Sequence, residues 1–404
     1  MGTGTHRMLR PPPPVDISLE NLTEFAEGKR VLTCIQCGTC ASTCPYGELM
    51  QYPPRRIIGM LRAGKLEQVF TSDSLLNCVA CYACTAKCPR AIDLTGVLLP
   101  LVKEQVLLNL PAMPAELQKA LENKLRYGNP MGESPRKRAA WTKTAGVPVR
   151  ILSEDPSPAD VLWFVECYTS YHPRGQAAAR ATAKVLHALG IDFAILGNEE
   201  KCAGECGRLS WERGLYNTLM EYNMLVFAKY QFKMIVTSCP HAYDAFRYRY
   251  KILGFDYDLT HIAPFLAQHV DRLKPMLKRK ADYKLTYHDS CCLGRHSSVY
   301  EEPRMLLRAI PGLKLVEMAH HGVNTLCCGG GGGGMWLDTF YKTKGYERLS
   351  ERRVKEAVAT GADVLAVACP YEVSRFEDAL KVLGYEKKMI VRDIVELLAG
   401  AMEV

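Results

Sequence analysis

One cysteine pattern is written twice in this chain, and it leaves the segment around it few ways to fold. Cys34, Cys37, Cys40 and Cys44 follow the spacing C-x2-C-x2-C-x3-C and run straight into Pro45; Cys78, Cys81, Cys84 and Cys88 repeat it and run into Pro89. Three thiolates from one tight loop and a fourth from a distance suit the irons of a 4Fe–4S cluster. Where a chain carries two such loops, the fourth cysteine of each ligates the other cluster. The spacing therefore predicts one cubane 4Fe–4S cluster on Cys34, Cys37, Cys40 and Cys88, and a second on Cys78, Cys81, Cys84 and Cys44. Structural zinc is the competing reading, because thiolates also suit zinc, but zinc motifs pair one CxxC with another.

The 404 residues, 48% of them hydrophobic, suffice for two or three domains with cores of their own. The 17 cysteines fall in short motifs rather than along a small secreted frame, so reduced thiols in a reducing compartment are expected. Residues 1–16 hold His6, Arg7, Arg10 and a run of prolines, with no apolar segment of the export type. No stretch reaches the roughly 18 apolar residues of a membrane span; the best candidate, 97–113, is broken by Lys103, Glu104 and Gln105. A soluble protein, held at a membrane only by a partner, is the expectation. The net charge of +8 is moderate, and Arg136, Lys137 and Arg138 read as a solvated linker. No nucleic-acid-binding motif is present, so no nucleic-acid partner is expected.

The chain divides by pattern. Residues 1–14 read as a disordered tail. Residues 15–125 hold both cysteine loops among apolar residues at three- and four-residue intervals, a mostly helical domain with helices expected over 54–64 and 99–108. A polar connector with glycine and proline spans 126–158. Beyond it, apolar runs at 161–165, 193–196, 234–237, 285–288, 313–316 and 364–367 alternate with helix-like sequence such as 176–189 and 211–230. That is the βαβ rhythm of α/β domains with parallel strands. The region is internally duplicated, as halves 159–280 and 281–404. Each half opens with a cysteine at a strand end (Cys167; Cys291), continues with a glycine-containing cysteine motif (Cys202 and Cys206; Cys327 and Cys328) and closes on Cys-Pro (Cys239; Cys369). The expected fold class is α+β multidomain: a helical domain with two 4Fe–4S clusters, then a duplicated α/β cysteine-rich domain with its sites at the carboxyl ends of strands.

Cys291, Cys327, Cys328 and Cys369 form a second constellation. The adjacent pair Cys327 and Cys328 poorly suits one tetrahedral metal but suits two irons of one cluster. The glycines 329–334 follow directly and read as backbone that closely approaches a cluster and leaves room for a substrate. A flexible linker is the plainer reading of that run.

These residues carry a family likeness. Tyr287-His-Asp-Ser-Cys-Cys-Leu-Gly-Arg295, Tyr300-Glu-Glu-Pro-Arg304, the Cys327–Cys328 pair with its glycines, and Cys369-Pro370 resemble the cysteine-rich "CCG" domains of heterodisulfide reductase. With the double cysteine loop ahead of them, the chain from about residue 15 onward is similar to the fused catalytic subunit of that enzyme. It is equally similar to related subunits of sulfate-reducer and sulfur-oxidiser membrane complexes. The 128–132 GNPMG stretch followed by Ala140-Trp141 fits the same group.

The resemblance implies a non-cubane 4Fe–4S cluster on Cys291, Cys327, Cys328 and Cys369 that cleaves an S–S bond with electrons relayed by the two cubanes. The family motif is one cysteine, then CC, then CxxC. Here Glu372 stands at the last position of the second half, so Cys292 or Glu372 is the candidate additional ligand. In the first half Cys167, Cys202 and Cys239 match, but Ala203 and Ala242 replace cysteines and Cys206 is extra. One active cluster, in the second half, is therefore expected. Of the nearby histidines 288, 296, 320 and 321, His288 is the best candidate to supply a proton to a leaving thiolate.

The leading expectation is the iron–sulfur catalytic subunit of a respiratory complex, a thiol–disulfide oxidoreductase acting on a small molecule or on a sulfur-carrier protein. Its implied partner is a membrane b-type cytochrome subunit linked to quinone, which would hold the chain at the inner face of the cell membrane. The alternative is a non-catalytic electron-transfer subunit serving a flavoprotein, as in glycolate, lactate and glycerol-3-phosphate dehydrogenases. No dinucleotide fingerprint or flavin site is visible, so electrons should arrive from another protein.

Overall fold

The computed structural model describes residues 29–402 apart from 66, 110–112 and 211. The expected tail, 1–14, lies outside the described residues. The region of the two cysteine loops is helical. Helix Pro54–Arg62 starts on a proline, as an N1 position allows, and buries Ile57, Ile58 and Leu61. Helix Leu99–Asn109 follows, and helix Ala115–Tyr127 stops on Gly128, whose φ of 69° no β-carbon hinders.

The remainder is two parallel sheets. The first holds β1 (Arg150–Ile151), β2 (Ala159–Phe164), β3 (Phe193–Ile195), β4 (Phe232–Thr237) and β5 (Asp258–His261), in the order β1-β3-β2-β4-β5. The second holds β6 (Lys284–Tyr287), β7 (Lys314–Leu315), β8 (Val364–Val367) and β9 (Ile390–Asp393), in the order β7-β6-β8-β9. Without β1 the two orders superimpose. The duplication seen in the cysteine spacing is thus a duplication of topology. In each sheet the central pair, β2 with β4 and β6 with β8, is where strand order reverses, and a crevice opens at its carboxyl end.

The stretch 126–158 is more than a connector. β1 lies inside it and pairs with β3. Trp141 is buried with its ring edge-on to Trp163, centroids 5.4 Å apart. Arg138, expected in a solvated linker, is only 2% exposed and pairs with Glu200 at 2.7 Å, while the Glu200 carboxylate also accepts the Val165 and Glu166 amides. A run of basic residues is a sequence average, and one of the three found a buried carboxylate.

The halves share a core. Ala178, Val185 and Leu186 of helix Pro173–Ala188 belong to the same apolar cluster as Ile394, Leu397 and Leu398 of helix Ile394–Ala401. Arg174 spans the seam, donating to Glu377 at 2.9 Å and Glu396 at 3.0 Å. A second cluster joins Tyr46, Leu76, Val79 and Tyr82 of the cysteine-loop region to Cys291, Cys327 and Cys328. Among the described residues no helix is long and apolar enough to cross a membrane.

Candidate iron–sulfur and thiolate sites

The two cysteine loops repeat at the level of backbone torsions. Gln36 and Ala80 each stand two residues after the first cysteine with φ of 57° and 48°; Gly38 and Tyr82 each stand four after it with φ of 87° and 58°. L-residues seldom hold positive φ, and the strain is tolerated where the surrounding structure dictates it. These turns aim successive cysteines at one point. Cys34, Cys37 and Cys40 line a recess of about 340 Å³ together with Cys88. Cys78, Cys81 and Cys84 line another, of about 400 Å³, together with Cys44. Each recess therefore gathers three sulfurs from one loop and the fourth from the other. Burial pushes the Cys40 thiol up to about 11, and its sulfur neighbours Cys34, Cys88 and Cys37 push the same way. Four thiols crowded in an apolar pocket cost free energy unless a cation claims them, so the donor set fits an iron–sulfur cluster.

The two recesses differ in exposure. Cys37 is exposed, whereas Cys81 and Cys84 are buried. Burial follows from what covers the inner loop. The Cys81 sulfur lies within hydrogen-bonding reach of Cys327, and Arg295 Nε donates to the Cys81 carbonyl at 2.7 Å. His296 stacks on Tyr82 with ring centroids 4.1 Å apart, and its Nδ1 contacts Asp244.

The glycines 329–334 are packed rather than a flexible linker, and Gly330 among them lines the cavity beside Cys369. A β-carbon on Gly331 would fall 2.5 Å from the Val79 carbonyl oxygen, and one on Gly332 would overlap that of Cys78. One on Gly334 would overlap the Gly329 carbonyl within the run itself. The run is a sleeve that fits against the inner cysteine loop. Lys103 locks it: buried at 1% exposure, its Nζ donates to the carbonyls of Cys78 at 2.7 Å, Leu209 at 3.1 Å and Gly332 at 3.4 Å. In the sequence Lys103 marked only a break in an apolar stretch.

In the second half, Cys291 follows β6 and Cys369 caps helix Pro370–Val382 after β8. Cys291 is within reach of Cys292 and Cys327, and Cys327 of Cys328, so these sulfurs form one buried string that ends on Cys81. His288 and Glu372 close its far end. The atoms His288 Nε2, Cys328 Sγ and one Glu372 oxygen lie within 4.8 Å of one another, and all three residues are buried. His288 Nε2 stands 3.3 Å from Glu372 Oε1, and Arg353 Nε donates to His288 Nδ1 at 3.0 Å. Burial and Arg353 disfavour charging the ring, but Glu372 and Cys328 outweigh them and push its pKa up to about 9. With an arginine donor facing Nδ1, the ring keeps its proton on Nε2, aimed at Cys328 and Glu372. A metal-ligating histidine needs a bare nitrogen toward the metal and an acceptor for the other one. His288 is therefore built as a donor.

The other histidines turn elsewhere. His320 is exposed and pairs with Glu356 at 2.8 Å, and His321 Nδ1 lies 2.8 Å from the Met318 carbonyl.

The first half departs from expectation. Cys167, Cys202, Cys206 and Cys239 all line a cavity of about 670 Å³, and Cys369 from the second half joins them there. The reason is symmetry: Cys239 and Cys369 cap equivalent helices after equivalent strands, and the two strand ends face one another. Cys202 and Cys206 approach to 3.8 Å, so the extra cysteine joins this sulfur set. Lys124, fully buried, points its Nζ at Cys206 Sγ at 2.8 Å. Nothing in the sequence set this lysine apart from the other charges of its helix. Glu166 anchors the cavity floor by accepting the Cys167 amide at 2.8 Å and the Ala203 amide at 2.9 Å. Tyr168 and Tyr371 meet edge to face, centroids 5.4 Å apart, at its wall.

The 4Fe-4S dicluster domain family matches residues 30–92, and the cysteine-rich domain family matches twice, at 161–246 and 285–371. A chain of the dihydromethanophenazine:CoB--CoM heterodisulfide reductase of Methanosarcina mazei is 33% identical over 287 residues, covering 69% of this chain and 66% of that one. The chain belongs to the heterodisulfide reductase-like family of iron–sulfur proteins. Members of wider scope share it. A probable iron-sulfur-binding oxidoreductase of Bacillus subtilis, FadF, is 33% identical over 338 residues, covering 83% of this chain and 47% of that protein. The EtfAB:quinone oxidoreductase of Syntrophomonas wolfei is 32% identical over 343 residues, covering 84% of this chain and 48% of its own length. The chain thus spans about half the length of these two relatives. Family membership makes it an iron–sulfur protein chain, and the cysteine-rich domains bracket both sheet centres described above.

Proposed function

We propose that this chain relays electrons, one at a time, between an outer cubane cluster, an inner cubane cluster and a sulfur-lined site that exchanges them with a disulfide or its thiols. Cys34, Cys37, Cys40 and Cys88 would hold the outer cluster, and Cys44, Cys78, Cys81 and Cys84 the inner one. Cys291, Cys327, Cys328 and Cys369 would hold a non-cubane cluster, with Cys292 as a further thiolate. When bound, such clusters supply single electrons and an iron that accepts a substrate sulfur. The observation that carries the reading is that Cys81 of the inner loop is buried in one cluster with Cys291, Cys327 and Cys328 and lies within hydrogen-bonding reach of Cys327.

The chain's own residues supply the rest. Reduction of a disulfide consumes two electrons and two protons and yields two thiols. His288 holds a proton on Nε2 beside Cys328, with Arg353 fixing that tautomer and the Glu372 carboxylate 3.3 Å away as its counter-charge. Tyr168 and Tyr371 wall the cavity beside Cys369 with aromatic surface. The substrate would be a small-molecule disulfide or a sulfur-carrier protein. The partner would be a membrane b-type cytochrome subunit of a quinone-linked complex, with the chain cytoplasmic and peripheral to the inner face of the membrane. The division into a double-cluster domain (15–125) and two cysteine-rich halves (159–280 and 281–404) belongs to this reading.

A second reading, an electron-transfer subunit for a flavoprotein, draws support from Ala242 and Glu372 at the last cysteine positions of the two halves. The two readings part on Cys328→Ser. Disulfide-dependent turnover should disappear while the cubane signals in electron paramagnetic resonance persist. Unchanged turnover would sink the thiol–disulfide assignment.

A further inference from the structure

The outer recess opens on a surface of unusual make-up. Ile35, between the first two cysteines, is 63% exposed, and Leu32, just before them, is 46% exposed. Around this apolar centre stand Arg55, Arg62 and Arg90, all exposed. Arg62 is fixed by donating to the Cys34 carbonyl at 2.9 Å, and Arg55 and Arg90 line the same recess as Cys37. Among the described residues, none of these three guanidiniums has a carboxylate partner. Elsewhere on the surface, Arg150 is paired with Asp192 and Arg308 with Glu301.

A large aliphatic side chain held out in water beside an exposed cysteine, ringed by unpaired cations, matches the anatomy of an interface: an apolar centre with a charged rim. The inner loop has no such face, since the glycine sleeve covers it. We propose that this basic face around Cys37 is the docking surface for an acidic electron-transfer protein. The inference rests on the outer recess holding a cluster. A redox protein suits this place better than an anionic lipid surface does, because the sulfur exposed at its centre belongs to an electron-carrying set and a headgroup has no electrons to exchange. The rim charges would steer the encounter and fix the pose, and Ile35 would exclude water between the two redox centres.

The test uses the full, cluster-loaded chain and an oxidised plant-type ferredoxin as the acidic probe, with binding read by calorimetry. Affinity should fall about tenfold between roughly 0.02 M and 0.2 M salt. Arg90→Glu should weaken binding at low salt by about fivefold or more, and Ile35→Ser should weaken it with the salt dependence kept. Vesicles containing phosphatidylserine form the second arm. If Arg90→Glu loses vesicle binding and keeps ferredoxin binding, the face is a membrane surface and the proposal is overturned. It is equally overturned if ferredoxin binding is absent, salt-insensitive or untouched by Arg90→Glu. Iron content and the cubane signals, recorded on every variant, separate this failure from failure of the cluster assignment itself.

Discussion

At Gly332 the φ of 59° and the overlap of a β-carbon with the Cys78 carbonyl leave no substitute for hydrogen. Gly332→Ala should cost about 2 kcal/mol or more and loosen the inner cluster first, seen as loss of half the cubane signal before the chain unfolds. The Arg138–Glu200 pair lies at the same scale. Both side chains are almost fully buried, so Arg138→Met leaves a carboxylate without its counter-charge. Breaking a buried pair from one side costs about 3–5 kcal/mol, and the urea midpoint should drop accordingly. Glu200 also holds the two amides that lead into Cys167, so the first-half cavity should be disturbed as well. Individual residues were the least legible part of the sequence. Lys103, Lys124, Arg138 and Arg353 each act through a partner more than 60 residues away, and no local pattern announces such a partner.

Elements were more legible, for a physical reason. Buried central strands are continuous apolar runs, so β2, β4, β6 and β8 stood out; the missed strands β1, β5 and β9 are short or half-exposed edges. The ends of these elements carry chemistry. His261, at the end of β5, is fully buried, with Nε2 3.1 Å from the Ser238 carbonyl next to Cys239 and Nδ1 accepting the Ala263 amide at 3.2 Å. Burial pushes its pKa down to about 4, outweighing the backbone contacts that push it up. The unfolded chain, with an ordinary histidine near 6.5, then binds the extra proton between those values, so stability rises with pH across that window. Lowering the pH from 7 to 5 should cost about 2 kcal/mol through this group alone. Denaturant titrations of wild type and His261→Gln should differ in pH slope by that amount; equal slopes would contradict the assignment. The cysteine loops make a second prediction at this scale. Cys88→Ser should damage the cluster assigned to Cys34, Cys37 and Cys40, because Cys88 lines their recess; loss of only the other cluster would show local pairing.

The whole molecule is a directional object. An exposed sulfur site at Cys37 leads to an enclosed one at Cys81, then to Cys327 and the string beyond it, and the largest sulfur-lined cavity sits where the two duplicated sheets face each other. The sequence motif repeats foretold the parts of this plan, since thiolate spacing and strand rhythm are local. They did not foretell that Cys369 would turn toward the first half's cavity, because that depends on how two equivalent strand ends meet. The account stands on the cysteine-rich halves holding a working cluster beyond the two cubanes. An iron count with electron paramagnetic resonance on anaerobically purified, oxidised protein, with and without added thiol, tests this directly. The account predicts about twelve irons per chain, three four-iron clusters, and a signal that appears only when oxidised protein meets thiol. About eight irons with no thiol-dependent signal would contradict it and leave the chain as a two-cluster wire.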